Sequence, residues 1–172
     1  MRELLLFRHA KSAWDDPTLL DHERDLAPRG RKAAPRMGRL IAAQGLVPDL
    51  VLCSTAKRAV RTWELAAAEL PRPVEVKRLA SLYLAPPSRL LRIVRRQPDA
   101  VHRLLVVGHD PGLHRLALAL VGEEDARARN SGLLEKFPTA ALARIALPVE
   151  HWSEVGPGAG RLLAFYKPRA LD

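Results

Sequence analysis

Three short stretches of this sequence place residues capable of handling a phosphoryl group directly after apolar runs. Arg8-His9 follows Leu4-Leu5-Leu6-Phe7, Ser54 to Arg58 follow Leu50-Val51-Leu52-Cys53, and His109 follows Leu104-Leu105-Val106-Val107-Gly108. The planar donor fork of arginine suits two phosphate oxygens at once. A neutral imidazole between two guanidinium groups is kept unprotonated by their charge, so it retains a lone pair for attack on phosphorus. Arg58 also falls in the first turn of the helix expected after the second run, where unpaired backbone N–H groups and the helix dipole favour an anion.

The elements that must position these residues follow from the same apolar runs. Each is short and uninterrupted, as a strand covered on both faces requires. After the first, a polar loop over residues 10–27 carries Asp15, Asp16, Asp21, Glu23 and Asp25. Pro28 then opens a helix that Gly45 stops, with Ala33, Ala34, Met37, Leu40 and Ile41 at helical spacing. A second helix is expected over 56–70, capped by Ser54 or Thr55, with Ala59, Trp63, Ala66 and Leu70 inward. Val74-Glu75-Val76 reads as a weaker strand, and Ala85-Pro86-Pro87 introduces a helix carrying Leu90, Leu91, Ile93 and Val94. Pro111 opens another helix before Gly122, a polar stretch follows over 123–132, and two strands over 140–147 and 162–166 read as a hairpin around Gly156-Pro157-Gly158. Alternating strands and helices imply an α/β three-layer sandwich: a mainly parallel central sheet with an antiparallel edge strand and helices on both faces. In such sheets ligands sit beyond the carboxyl ends of the strands, where Arg8, His9, Arg58 and His109 converge.

The chain has 172 residues, expected to form a single domain over 1–172, and its formal charge is +9. That charge is spread evenly through both halves, with no basic arm. Among eight aromatic residues (Trp 3, Tyr 2, Phe 3) no stacking platform for bases is evident, which argues against nucleic acid. One cysteine excludes an intramolecular disulfide framework and any thiolate-rich metal site, and fits a reducing compartment. No apolar run is long enough to span a membrane and the start lacks the pattern of a signal peptide, so a cytoplasmic protein without membrane contact is expected.

Arg8-His9-Ala10, the run Ser54-Thr55-Ala56-Lys57-Arg58-Ala59-Val60-Arg61-Thr62 and Val107-Gly108-His109 together resemble the motifs of the histidine phosphatase (phosphoglycerate mutase-like) superfamily. Within it the chain is most similar to the small single-domain phosphohistidine phosphatases. The resemblance covers nearly the whole chain and includes Lys136-Phe137-Pro138-Thr139-Ala140-Ala141-Leu142. It implies that His9 is the nucleophile that becomes phosphorylated, and that Arg8, Arg58 and His109 hold the phosphoryl oxygens. Ala10 stands where the superfamily usually has glycine, and Ser12 and Asp15 where threonine and asparagine are usual. Ser12 thus keeps a hydroxyl for substrate binding.

Many relatives carry a proton-donating carboxylate after the third strand, yet no Asp or Glu lies between Glu75 and Asp99. A phosphate ester leaves as an alkoxide and needs a donor, whereas a phosphorylated imidazole protonated on its distal nitrogen departs neutral. The expected activity is therefore that of a metal-independent phosphatase with a phosphohistidine enzyme intermediate, acting on phosphohistidine in a protein. The alternatives are a hydrolase or mutase of a small phosphate ester, and a non-catalytic module binding phosphate or nucleic acid. No cofactor or metal is expected, the partner is a phosphorylated protein or small phosphorylated substrate, and the oligomeric state is left open. One acid of the 15–25 loop could fold over the pocket. His22, His102, His114 and His151 lack companions at metal-ligand spacing and read as surface or helix-face residues. Trp14 and Trp152 are candidates for a protein-docking surface. Cys53 has four residues between it and Arg58 where a cysteine-dependent phosphatase loop needs five, so it reads as the buried end of a strand.

Overall fold

The computed structural model describes residues 1–171. Six strands, β1 (Arg2–Arg8), β2 (Leu50–Ser54), β3 (Glu75–Leu79), β4 (Arg103–Gly108), β5 (Leu142–Leu147) and β6 (Arg161–Tyr166), form one sheet in the order β3-β2-β4-β1-β5-β6. The β3–β2, β2–β4 and β4–β1 pairs are parallel, and β5 runs antiparallel to both β1 and β6. The hairpin β5–β6 thus supplies the antiparallel side of a mainly parallel sheet. Five helices cover it: α1 (Pro28–Ala43), α2 (Lys57–Ala67), α3 (Pro87–Arg95), α4 (Gly112–Val121) and α5 (Ala126–Ser131).

The continuous apolar runs form central strands because both faces of each are buried. Leu4 and Leu6, Leu50 and Leu52, and Leu104 and Val106 join a core with residues of α3 and α4. Their alternates Leu5 and Phe7, Val51 and Cys53, and Leu105 and Val107 join another with residues of α1 and α2. Period-2 alternation in a strand sends neighbours to opposite faces, so every residue of these runs has a core to enter. The edge strand β3, which lacks a continuous apolar run, is mostly exposed.

Local chemistry departs from expectation in three places. α2 ends at Ala67 rather than near residue 70, and neither Ser54 nor Thr55 caps it. Ala56 is the cap residue, and Ser54 is withdrawn into the sheet end, where its Oγ accepts from the Ala56 amide at 3.2 Å. The polar stretch 123–132 contains α5, which forms because the Asp125 carboxylate accepts from the Ala128 amide at its start and Gly132, at φ +88°, closes its end. With Ala128 its only buried residue, α5 has no apolar periodicity to read. Trp152 is fully buried, its Nε1 donating to the Val101 carbonyl at 2.8 Å, so it is a core residue and not a docking surface.

Candidate active site

Register carries the three chemical stretches to one edge. Arg8 pairs with Gly108 across β1 and β4, Val107 pairs with Cys53 across β4 and β2, and the His9 amide donates to the Gly108 carbonyl at 3.1 Å. Beyond these strand ends lies a pocket of about 370 Å³ whose lining includes Arg8, His9, Ser12, Arg58 and His109. All five expected site residues are therefore brought together.

His9 is 7% exposed and its Nδ1 lies 2.8 Å from the Ala10 carbonyl oxygen. A carbonyl only accepts, so in the neutral ring Nδ1 carries the proton and Nε2 holds the lone pair. Burial, then the charges of His109, Arg58 and Arg8, push the His9 pKa down to about 3, against the opposing pull of the Ala10 hydrogen bond. Desolvation outweighs the arginines here, although both act in the expected direction. Ala10 is fully buried at a φ that is not positive, so alanine fits where glycine is usual. Its amide donates to Thr62 Oγ1 at 2.9 Å, and Thr62 Oγ1 donates to the Arg58 carbonyl at 2.7 Å. Thr62 thus ties the loop after His9 to the helix that carries Arg58.

His109 stands with its ring centroid 5.2 Å from that of His9, and its Nε2 lies 2.7 Å from Ser54 Oγ. Burial first, then Arg58, also lowers its pKa to about 3. Arg8 Nη1 donates to the Phe137 carbonyl at 2.8 Å. Among the described residues three buried polar atoms, Arg8 Nε, His109 Nδ1 and Asp110 Oδ1, have no hydrogen-bond partner, and their residues all line this pocket. Buried polar atoms are rarely left unsatisfied, and their clustering here fits a polar ligand.

The acidic loop does fold over the pocket, through Asp21. Arg58 Nη2 donates to Asp21 Oδ2 at 3.0 Å, Arg58 Nη1 donates to the Asp21 carbonyl at 2.8 Å, and the Tyr83 hydroxyl also bonds Oδ2. Arg24 Nη1 donates to Asp21 Oδ1 at 2.7 Å, while its Nη2 donates to Ser12 Oγ. The guanidinium of Arg24 stacks on the exposed Trp14, with Cζ 3.2 Å from the ring centroid. The Tyr83 bond, then those from Arg24 and Arg58, hold the Asp21 carboxyl far below the usual carboxylate range. Asp21 is therefore an anion on Arg58 rather than a proton donor.

Sequence reasoning missed Arg24, Tyr83 and Asp110, and gave no role to Thr62, the last residue of the run that begins at Ser54. Asp110 is adjacent to His109 and Thr62 lies one turn after Arg58, whereas Arg24 and Tyr83 reach the site through contacts between segments apart in sequence. His22 approaches it too, with Nε2 2.9 Å from Thr55 Oγ1 and its ring edge-on to Tyr83. His102 and His151 are exposed and His114 is half-buried. Among the described residues no group of three or more His, Cys, Asp or Glu side chains is arranged to hold a metal ion. Burial pushes the Cys53 thiol up to about 12, which removes it as a nucleophile.

Fold and pocket define an α/β protein with a candidate site lined by arginines and neutral imidazoles at the carboxyl edge of the parallel strands. The profile of the histidine phosphatase superfamily (branch 1) matches residues 4–82. An uncharacterized protein of Mycobacterium tuberculosis is 39% identical over 165 residues, covering 94% of this chain and 99% of the relative. The crystal structure of a proposed phosphohistidine phosphatase SixA from Agrobacterium tumefaciens superposes with a TM-score of 0.83 at 28% identity, covering 97% of this chain and 98% of its own. That of another, from Nakamurella multipartitia, gives 0.82 at 25% identity and covers 97% of this chain and 96% of its own. The chain belongs to the histidine phosphatase superfamily. Among the described residues, no helix is long and apolar enough to cross a membrane.

Proposed function

We propose that this chain is a metal-independent phosphatase that works by double displacement through His9, with phosphohistidine in a protein as its substrate. Phosphatase chemistry is what the family and the structural neighbours support; the nucleophile and substrate are our reading. The observation that carries it is His9 itself, buried, neutral and fixed by Ala10 with Nε2 as the free nitrogen beside Arg8 and Arg58.

In the first step His9 Nε2 bonds to phosphorus as the P–N bond of the substrate breaks. The electron pair of that bond stays on the leaving imidazole, which departs neutral because its distal nitrogen already carries a proton. Phosphorylated His9 keeps its Nδ1 proton on the Ala10 carbonyl. Water then attacks phosphorus, the His9 P–N bond breaks, and inorganic phosphate leaves with His9 neutral again. Arg8 and Arg58 supply positive charge to the phosphoryl oxygens, and His109 lies within reach of the same group. The ionised state of Asp21 supports a substrate whose leaving group needs no enzyme acid. The exposed Trp14 and Leu84 on the pocket lining give a protein substrate apolar surface to meet.

A second reading, hydrolysis of a small phosphate ester, is favoured by Asp110, a carboxyl group on the pocket lining whose Oδ1 has no hydrogen-bond partner among the described residues, since an ester leaving group calls for such a group nearby. A substrate panel separates the two: phosphohistidine peptide against sugar phosphates and aryl phosphates, run on wild type and His9→Ala. The proposal expects phosphohistidine to be preferred and His9→Ala to lose both turnover and labelling by radioactive phosphate. An ester preferred by orders of magnitude, or an active His9→Ala, would overturn it.

A further inference from the structure

A depression of about 660 Å³ adjoins the catalytic pocket and is lined by Lys11, Arg29, Arg36, Lys136, Lys167 and Arg169. Lys11 and Thr139 line both hollows, so the two surfaces are continuous. The described lining residues include no carboxylate and no aromatic ring. The cations come from four separate segments: the loop after β1, the first three turns of α1, the approach to β5 and the chain after β6. A charge that is even along the sequence is thus gathered by the fold beside the active site.

Their spacing indicates what they meet. Arg29 and Arg36 are seven residues apart on α1, about 10 Å along its axis, or about three residues of extended chain. One phosphate spans far less. The absence of a stacking ring among the described lining residues disfavours a nucleotide. Several carboxylates strung along a polypeptide match both the length and the sign of the groove.

We propose that this groove docks an acidic segment of the substrate protein while the neighbouring phosphohistidine enters the pocket. The proposal deepens the phosphohistidine reading and rests on it for the identity of the substrate. The groove would then govern KM for the protein and leave the chemical step alone.

The test uses the charge-reversal variant Arg29→Glu/Lys136→Glu/Arg169→Glu, three exposed positions. Phosphohistidine peptides with glutamate or serine flanks and N-phosphoimidazole serve as substrates. Wild type at low salt should show a KM about tenfold lower for the glutamate-flanked peptide, as a few exposed ion pairs supply. The variant should lose that preference with kcat unchanged, and should turn over N-phosphoimidazole as wild type does. Equal KM values for the two peptides in wild type, or a variant impaired on N-phosphoimidazole, would overturn the proposal. Binding of an unphosphorylated glutamate-rich peptide is measured alongside. If that binding is lost in the variant while no phosphohistidine compound is turned over by wild type, the groove stands and the catalytic reading fails. Tighter binding of a single-stranded oligonucleotide than of the peptide would sink the acidic-segment assignment.

Discussion

Lowering the pH from 8 to 5 should destabilise this protein through the two histidines of the pocket, His9 and His109, by an amount their burial sets. Both pKa values fall from 6.5 to about 3 on folding, so between those values the unfolded chain binds protons that the folded chain refuses. Stability from this source is complete above 6.5 and is lost as pH falls. At pH 5 each unfolded imidazole lies about 1.5 units below its pKa, which at about 1.36 kcal/mol per unit costs about 2 kcal/mol, or about 4 kcal/mol for the pair. The folded value hardly enters, because at pH 5 both folded rings are still neutral. Urea unfolding of wild type and of His9→Asn/His109→Asn at the two pH values isolates the effect. His151, whose pKa is raised by Asp99 and whose contribution runs oppositely, is common to both proteins. Wild type should lose about 4 kcal/mol more than the double variant. Equal losses, or NMR titration of either ring near 6.5, would show that the imidazoles are not held neutral and would remove the physical basis for His9 as nucleophile.

Other outcomes follow from neighbouring contacts. Asp21→Asn removes the anion that, on the proposed mechanism, a phosphoryl group displaces from Arg58; since Asp21 is 43% exposed, the gain is modest and the vanadate inhibition constant should fall about two- to fivefold. Trp152→Ala should cost about 3–5 kcal/mol in chemical denaturation and leave KM for a phosphohistidine peptide unchanged, as expected of a core residue far from docking. A chelator should leave turnover unaltered in steady-state assays, because guanidinium groups supply the charge; activity that returns only with a divalent ion would contradict the mechanism.

Much of the site was legible because its residues sit at fixed offsets from apolar runs. A strand buried on both faces announces itself, and in a parallel sheet its end is where chemistry collects. Spacing alone therefore placed His9, Arg8, Arg58 and His109 at the edge where the structure brings them into one pocket, and the resemblance added which histidine is expected to attack. Asp21 shows the limit. Five acids in one loop looked equivalent in sequence, and only the fold sets one of them, through a short 3-10 turn at Asp21–Glu23, against Arg58 and Tyr83. Trp152 shows the same limit in reverse, because a lone tryptophan in a polar stretch gives no sign of the cavity that receives it.

The sequence by itself determined the strands, the four longer helices and the four residues at the sheet edge, since these depend on local periodicity and on which residue follows which; α5 and the strand order came only with the fold. Only the tertiary structure decided which atoms of those residues are free. Ala10 fixes the His9 proton on Nδ1, burial rather than charge alone keeps both imidazoles neutral, and Asp21 occupies Arg58. Only it gathered cations from four segments into one groove. The physical reason is common to all of these: protonation and electrostatic field depend on desolvation and on distances between residues remote in sequence, and neither exists until the chain has packed.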